Sequence, residues 1–292
     1  MRSTVMRVDG SPDRLVTAWV GPASASGLGL NSMVTTILEA GAGAYPPAIP
    51  LLDAFWRGTI QCDFRSSFDG HRALFATGHV AVEDPVAAMI GPEGEHIGQP
   101  IGVALRPGGV LRGTAVIPTA HGAALSVVES DAASATIWHI VELDDNGETV
   151  LKADVSPPVP NNSSMKVAEV PTGFVALWAD DANVIQRASV NRQTAALEPA
   201  RPLLAAPVDP LLAGASVQGV SPMETGIAVL VSLSVTASSG VALVDEAGHV
   251  LDFLPLAGMA SSIRSETGVL ALVRAPDPTS HAEIVEVVCP RP

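Results

Sequence analysis

The chain has 292 residues, of which 16% are charged and 47% are hydrophobic, and its formal net charge is −14. This composition predicts a large buried core and excludes an intrinsically disordered chain. The negative charge, with Lys152 and Lys166 as the only lysines, opposes binding to nucleic acid and to anionic membranes, because both depend on basic residues.

Neither membrane insertion nor a targeting segment is indicated. The sequence has no apolar run of about 18 residues, the length that a membrane-spanning helix needs. Residues 1–10 contain no apolar signal core, so export is expected only if a leader has been removed. Cys62 and Cys289 are predicted on different layers of the fold, where we expect two buried free thiols and no disulfide.

From the N-terminus onward the chain repeats one pattern of four short strands. In the clearest copy, residues 221–256, the apolar segment Ile227–Val235 is short and rich in β-branched residues, which favours a buried strand over a helix. A tight turn ending in glycine precedes this strand. The equivalent glycines are Gly70, Gly122, Gly173, Gly226 and Gly268. Outer hairpin turns are predicted at residues 92–94, 145–147 and 246–248, with residues 144–147 forming a type I′ turn.

Repeats of about 40 to 50 residues with four strands each are typical of propeller blades. The pattern resembles the β-propeller superfold over essentially the whole chain. The Gly-His and Trp-Asp marks of WD40 blades and the kelch glycine pair are missing, so no particular family is identified. The resemblance implies an all-β, six-bladed β-propeller of four-stranded antiparallel blades. An irregular β-sandwich is the alternative.

The repeat boundaries predict a single domain that fills the chain. The blades are predicted at residues 1–56, 57–111, 112–158, 165–213, 214–258 and 260–288. Residues 33–40 are predicted as the third strand of the first blade, and Arg57 and Arg112 each begin the inner strand of a blade. The last blade is expected to contain three strands, so its outer edge should be exposed or covered by another molecule.

The propeller resemblance implies that the loops between second and third strands lie at the mouth of a central channel. Acidic residues recur in these loops: Glu83, Asp84, Glu129, Asp131, Asp180, Asp181 and Asp277. Several carboxylates together suit a hard cation. A solvated acidic rim is the favoured alternative, because clustered like charges usually face water.

The connections between blades reach the same predicted face and carry the candidates for ligand binding. These residues are Trp56, Arg57, Arg112, Asn161 and Asn162. Two guanidinium groups near one channel mouth would hold a carboxylate or a phosphate through paired hydrogen bonds. The alternative is that both arginines pair with the acidic rim.

The sequence indicates no catalytic residues and no cofactor. The seven histidines lack metal-ligand spacing, so no metal site is predicted, and no G-x-S-x-G nucleophile turn occurs. We therefore expect a binding or scaffold protein that uses the channel-mouth face for a small ligand or a protein partner. The alternative is a hydrolase or lyase with a carboxylate such as Asp63 or Glu169 as acid or base.

Overall fold

The computed structural model describes residues 3–8, 11–22, 30–39, 49–57, 65–68, 73–79, 83–91, 95–120, 122–131, 135–160, 165–203, 214–233, 238–256, 258–266, 269–275 and 283–288. These residues form strands and their connections, and none of them belongs to a helix long and apolar enough to cross a membrane. The chain divides into two compact units. The first comprises Met1–Ala133 and Ile137–Asp154, and the second comprises Ser134–Thr136 and Val155–Pro292.

The first unit contains three four-stranded antiparallel sheets, in each of which the strands follow in chain order. The first sheet consists of β1 (Ser3–Val8), β2 (Ser11–Pro22), β3 (Leu30–Glu39) and β4 (Ile49–Arg57). The second consists of β5 (Arg65–Phe68), β6 (Ala73–His79), β7 (Glu83–Ile90) and β8 (His96–Gly102). The third consists of β9 (Val110–Thr119), β10 (Gly122–Ser130), β11 (Thr136–Asp144) and β12 (Thr149–Val155).

The described part of the second unit contains two four-stranded sheets and one of three strands. The fourth sheet consists of β13 (Lys166–Val170), β14 (Gly173–Ala179), β15 (Ile185–Asn191) and β16 (Leu197–Pro202). The fifth consists of β17 (Ala215–Met223), β18 (Gly226–Leu233), β19 (Ser238–Val244) and β20 (Val250–Leu256). The sixth consists of β21 (Met259–Glu266), β22 (Val269–Ala275) and β23 (Glu283–Val288).

Burial falls from the second strand of a sheet to the fourth. The second strands β10, β14 and β18 are buried at almost every position, whereas the fourth strands β12, β16 and β20 are mostly exposed or half-buried. A strand that is buried on both faces needs apolar residues on both sides of its pleat. This explains why the second strands are continuous apolar runs and lack the alternation of half-buried strands.

Apolar side chains from neighbouring sheets share common cores. In the second unit, Val175 of β14 and Val229 of β18 belong to one buried cluster, so the fourth and fifth sheets pack face to face. In the first unit, Met89 of β7 and Leu125 of β10 belong to another, which joins the second and third sheets. The hydrophobic effect therefore holds each of these sheets against its neighbour.

The repeated turn glycines are required by the close approach of the third strand in the same sheet. Gly173 and Gly226 have φ values of 148° and 147°, a region that disfavours residues with a side chain. A Cβ atom at Gly173 would collide with the carbonyl oxygen of Val190, and one at Gly226 would collide with that of Val244. The glycine spacing in the sequence is therefore the spacing of one recurring steric constraint.

Two local assignments differ from the sequence prediction. Arg57 lies at the end of β4, opposite Leu30 of β3, and does not begin the inner strand of the second sheet. The Asp144–Gly147 hairpin is not a type I′ turn, because Gly147 has a positive φ whereas its two preceding residues do not. The N–H of Gly147 donates to the carbonyl of Asp144 at 3.0 Å, as in a type I turn followed by a glycine bulge. The prediction of a third strand in the first blade is confirmed, because residues 33–39 lie within β3.

Candidate functional site

A polar cluster lies at one end of the third sheet, where β9 begins and β10 and β12 end. It contains Glu129 of β10, His139 of β11 and Asp154 of β12, together with Arg106 from the connection between β8 and β9. Antiparallel strands bring these residues together because alternate strand ends meet at the same edge of a sheet. Glu129 was predicted from the sequence, whereas the other three residues were not.

Glu129 is a fully buried carboxylate, and Arg106 satisfies both of its oxygens. The backbone N–H of Arg106 donates to Oε2 at 3.0 Å, and its Nε donates to Oε1 at 2.9 Å. The Glu129 side chain has 0% exposure, whereas that of Arg106 has 47%. A buried charge needs such partners, because desolvation without them costs several kcal/mol. Glu129 therefore fastens the connection that leads into β9.

His139 bridges this carboxylate to the outer strand. Its Nδ1 lies 2.8 Å from Oδ1 of Asp154, and its side chain is 7% exposed. Its Nε2 lies 3.7 Å from Oε2 of Glu129, which is beyond hydrogen-bond distance. Among the described residues, this buried Nε2 has no hydrogen-bond partner. The imidazole thus holds Asp154 directly and faces Glu129 without bonding to it.

Arg112 occupies the same end of the sheet, and its Nε donates to Oγ of Ser130 at 2.6 Å. Its side chain is exposed. Consecutive strand residues point to opposite faces, so the partners Glu129 and Ser130 place Arg106 and Arg112 on opposite sides of the strand end. Asp131 lies at a longer distance from the cluster, with Oδ2 at 3.8 Å from Nη2 of Arg106.

The chemistry of the cluster is dominated by pairing. Glu129 accepts two N–H donors, and the Nδ1 atom of His139 faces a carboxylate. A general acid or base must instead be able to reach a proton on a bound substrate. Arg106, Arg112 and Asp154 all reach solvent at this end of the sheet. Arg106 and Asp154 are paired with Glu129 and His139, whereas the Arg112 guanidinium contacts the neutral Ser130 hydroxyl and offers a planar array of N–H donors.

The other acidic candidates occupy separate places. Asp180 accepts hydrogen bonds from the backbone N–H groups of Ala182 and Val184, both at 2.9 Å, and from Nε2 of Gln186 at 2.7 Å. The hydrogen bond from Val184 is the largest cause that lowers the pKa of Asp180. Asp181 is exposed.

The remaining predicted residues are placed only by their backbone or fall outside the described residues. Glu83 and Asp84 begin β7, and Trp56 and Arg57 end β4. Asn161, Asn162, Asp277 and the alternative acid Asp63 lie outside the described residues. Glu169 accepts a hydrogen bond from Arg192 at 2.6 Å. It lies beside the β13–β14 turn, at the other end of its sheet from the β14–β15 loop that holds Asp180.

A second polar contact joins the fourth and fifth sheets within the second unit. Nη2 of Arg187, a residue of β15 with 5% exposure, donates to the carbonyl oxygen of Glu246 at 2.9 Å. Burial lowers the pKa of the Arg187 guanidinium, and Arg201 opposite it on β16 lowers that pKa further. In the adjoining turn, hydrogen bonds from His249 lower the pKa of Asp245. These contacts tie an outer hairpin to the neighbouring sheet.

Comparison with known proteins identifies the fold. A protein of unknown function from Dyadobacter fermentans is similar at a TM-score of 0.54 and 12% identity, over 97% of this chain and 92% of that one. Prolyl oligopeptidase B from Galerina marginata, bound to a hydrolysis and macrocyclization substrate, is similar at a TM-score of 0.52 and 12% identity, over 97% of this chain and 42% of that one. The Hadza microbial sialidase Hz136 is similar at a TM-score of 0.51 and 12% identity, over 93% of this chain and 62% of that one. No family model matches the sequence, and no curated protein matches it significantly.

These similarities define the class of the protein. Its sheets of four antiparallel strands and its propeller-type structural neighbours make it an all-β protein of the β-propeller fold class, as the sequence repeat predicts. The chain spans 42% of the oligopeptidase and 62% of the sialidase, so neither whole protein is matched. At this identity the likeness concerns the fold alone. The blade number of six and the single-domain organisation stay predictions.

Proposed function

We propose that the protein is a binding module, and that its small ligand or partner protein presents a carboxylate or phosphate to Arg112. The observation that carries this proposal is the exposed Arg112 side chain, whose Nε atom is held by Oγ of Ser130 at 2.6 Å. Fixing Nε orients the guanidinium plane, and the two Nη groups then offer paired donors that match the two oxygens of a carboxylate.

The pairing of the neighbouring acid–base groups supports binding over catalysis. Both oxygens of Glu129 are occupied by Arg106, and the Nδ1 atom of His139 faces Asp154 at 2.8 Å. These pairs would stiffen the strand ends from which Arg112 projects, and a rigid site loses less entropy on binding. Trp56, Arg57, Asn161 and Asn162 stay sequence-based candidates for ligand binding, and the proposal at Arg112 does not depend on them.

Calorimetric titration of the protein with citrate and with inorganic phosphate tests the proposal. Arg112→Ala should weaken binding about tenfold, which corresponds to the loss of one charge-assisted contact. Arg112→Lys should recover only part of the affinity, because an ammonium cannot form the paired geometry. Arg201→Ala is the matched control, since Arg201 is also an exposed arginine on a strand. An equal loss with Arg201→Ala, or none with Arg112→Ala, would contradict the proposal.

A hydrolase is the second candidate function, and the buried pair of Glu129 and His139 favours it. Nε2 of His139 has no hydrogen-bond partner among the described residues and lies 3.7 Å from Oε2 of Glu129. Structural neighbours named as a prolyl oligopeptidase and a sialidase carry propeller-type domains. This candidate requires a carboxylate as acid or base, for which the sequence suggested Asp63 or Glu169. Glu129 would take this role only after its pairing with Arg106 is broken.

Assays with a fluorogenic prolyl peptide and a fluorogenic sialoside separate the two functions. The binding module should turn over neither substrate above the buffer rate. Turnover that is lost in Glu129→Gln, while circular dichroism shows an intact fold, would favour the hydrolase instead.

A further inference from the structure

The sixth sheet differs from the other five in strand number. Its described residues form three strands in the order β21, β22, β23, whereas each of the other sheets has four. Within the described part of the chain, β23 (Glu283–Val288) pairs with β22 and with no second neighbour. The outward N–H and C=O groups of such an edge strand are a template for pairing with another extended chain.

The outer strand β20 of the fifth sheet has two faces, and neighbouring side chains cover one of them less well than the other. Phe253, opposite Ala242, packs against the core shared with the fourth sheet. Leu254 lies on the opposite face, because it pairs with Val241, whose cluster includes Ala260 of β21. Leu254 is 41% exposed. The poorly covered face is therefore the one that the three-stranded sheet adjoins.

The high exposure of Leu251 has a different cause. The register of β19 and β20 shifts between Leu243, which pairs with Asp252, and Val244, which pairs with Val250. This shift leaves Leu251 as the extra residue of a β-bulge, and it is 65% exposed. Leu251 thus provides an internal control for Leu254, because it is an exposed leucine of the same strand that does not belong to the regular pairing.

We propose that the position beside β23 accepts an extended segment of another polypeptide, which adds a fourth strand and carries both apolar and basic side chains. Apolar residues are needed to cover Leu254, which is 41% exposed on the face of β20 that adjoins the sixth sheet. Adding a strand to a sheet edge gives affinity through backbone hydrogen bonds, and the side chains give specificity.

The charge distribution selects a basic segment and opposes a second copy of this chain. Asp252 is exposed on the face of Leu254, and the sequence of β23 contains Glu283 and Glu286. The whole chain carries a net charge of −14, so two copies repel one another. A segment that carries lysine or arginine would instead be attracted to this acidic part of the chain.

A labelled heptapeptide of alternating valine and lysine, capped at both termini, is the probe for this inference. We expect saturable binding to the whole chain by fluorescence anisotropy, with slowed amide hydrogen exchange in residues 283–288. Leu254→Lys should weaken binding at least about tenfold through lost apolar contact and like-charge repulsion, and the matched Leu251→Lys less than about twofold. A peptide with glutamate in place of lysine should not bind.

Three results would overturn the inference. One is the lack of saturable binding up to about 1 mM of the valine–lysine peptide, a concentration that detects even weak complexes. Another is an equal loss of affinity in the two lysine variants. The third is slow exchange, in the protein alone, of the β23 amides that point away from β22, because this would mean that its own chain or a second copy already occupies the edge.

Discussion

Arg106 and Glu129 are joined by two hydrogen bonds, one from the backbone N–H and one from the Nε atom of the arginine, at 3.0 and 2.9 Å. A single buried carboxylate thus holds both the main chain and the side chain of the connection into β9. Gly109, on the same connection, leaves the space that this carboxylate fills, since a Cβ atom there would lie 2.8 Å from Oε2.

Glu129→Ala should lower the free energy of unfolding by about 1–3 kcal/mol, because it removes two charge-assisted hydrogen bonds and leaves a polar cavity. The value lies below that of a fully buried ion pair, since solvent reaches Arg106. Urea denaturation measures the change. Glu148→Ala is the control, because that exposed residue should change stability by less than about 0.5 kcal/mol. Equal stabilities of the two variants would show that the pair does not hold the connection.

Gly173→Ala should destabilise the protein by more than about 2 kcal/mol, because it combines an unfavourable φ with a collision against the Val190 carbonyl oxygen. Gly113→Ala provides the contrast. Nothing lies within 4 Å of a Cβ atom at Gly113, so that change should be neutral or stabilise by up to about 1 kcal/mol. Thermal unfolding monitored by circular dichroism ranks the stabilities of the two variants. If Gly173→Ala lowers stability only slightly, the steric explanation of the repeated glycine is wrong.

The two buried tryptophans Trp138 and Trp178 should respond differently to the loss of the indole N–H. Nε1 of Trp138 donates to Oγ of Ser126 at 2.9 Å, whereas Nε1 of Trp178 has no partner among the described residues. Trp138→Phe should therefore cost about 1–2 kcal/mol more than Trp178→Phe, because it leaves a buried hydroxyl unpaired. Ser126→Ala in the Trp138→Phe background should recover part of that difference. Chemical denaturation of the four proteins tests the expected order.

Asp180 should contribute to the loss of stability in acid. Backbone N–H donors, that of Val184 first, hold the folded-state pKa of Asp180 below the ordinary value of 3.8. A carboxyl with a lowered pKa stabilises the folded state above its unfolded value, and this contribution is lost as the pH falls through the folded value. Asp180→Asn should therefore lose less stability than the parent between about pH 6 and about pH 2.5. Identical pH dependence of urea midpoints would contradict this assignment.

The strands and turn glycines were predictable because their signals lie within short stretches of sequence. Gly173 and Gly226 mark turns at which a side chain collides with the third strand, so the residue type itself carries the signal. The continuous apolar runs of β14 and β18 follow from burial on both faces. No knowledge of distant contacts is needed to recognise either feature.

The cluster at the end of the third sheet was only partly predictable because its contacts are not local. Glu129 was expected in a loop, but a register shift after Val128 extends β10 to Ser130. Its partner Arg106 lies 23 residues earlier in the chain, in an irregular connection. No periodic pattern relates these two positions, so the sequence alone could not identify the pair.

The assignment of Arg57 failed for a related reason. The Arg-Gly-Thr tripeptide occurs at residues 57–59 and 112–114, which suggested equivalent strand starts. Two register shifts within the β3–β4 pair allow β4 to continue to Arg57, so the first tripeptide begins in the outer strand of one sheet, whereas Arg112 lies in the first strand of another. Local sequence similarity does not fix register when bulges intervene.

The burial of the second strands on both faces also sets how this architecture fails. Removing or unfolding one sheet would expose the apolar side of its neighbour, and in β14 and β18 almost every exposed side chain would be apolar. A form that has lost a whole sheet would therefore aggregate and would not persist as a smaller folded protein. Proteases should therefore cut first along the exposed outer strands β12 and β16, where cleavage leaves the apolar core covered.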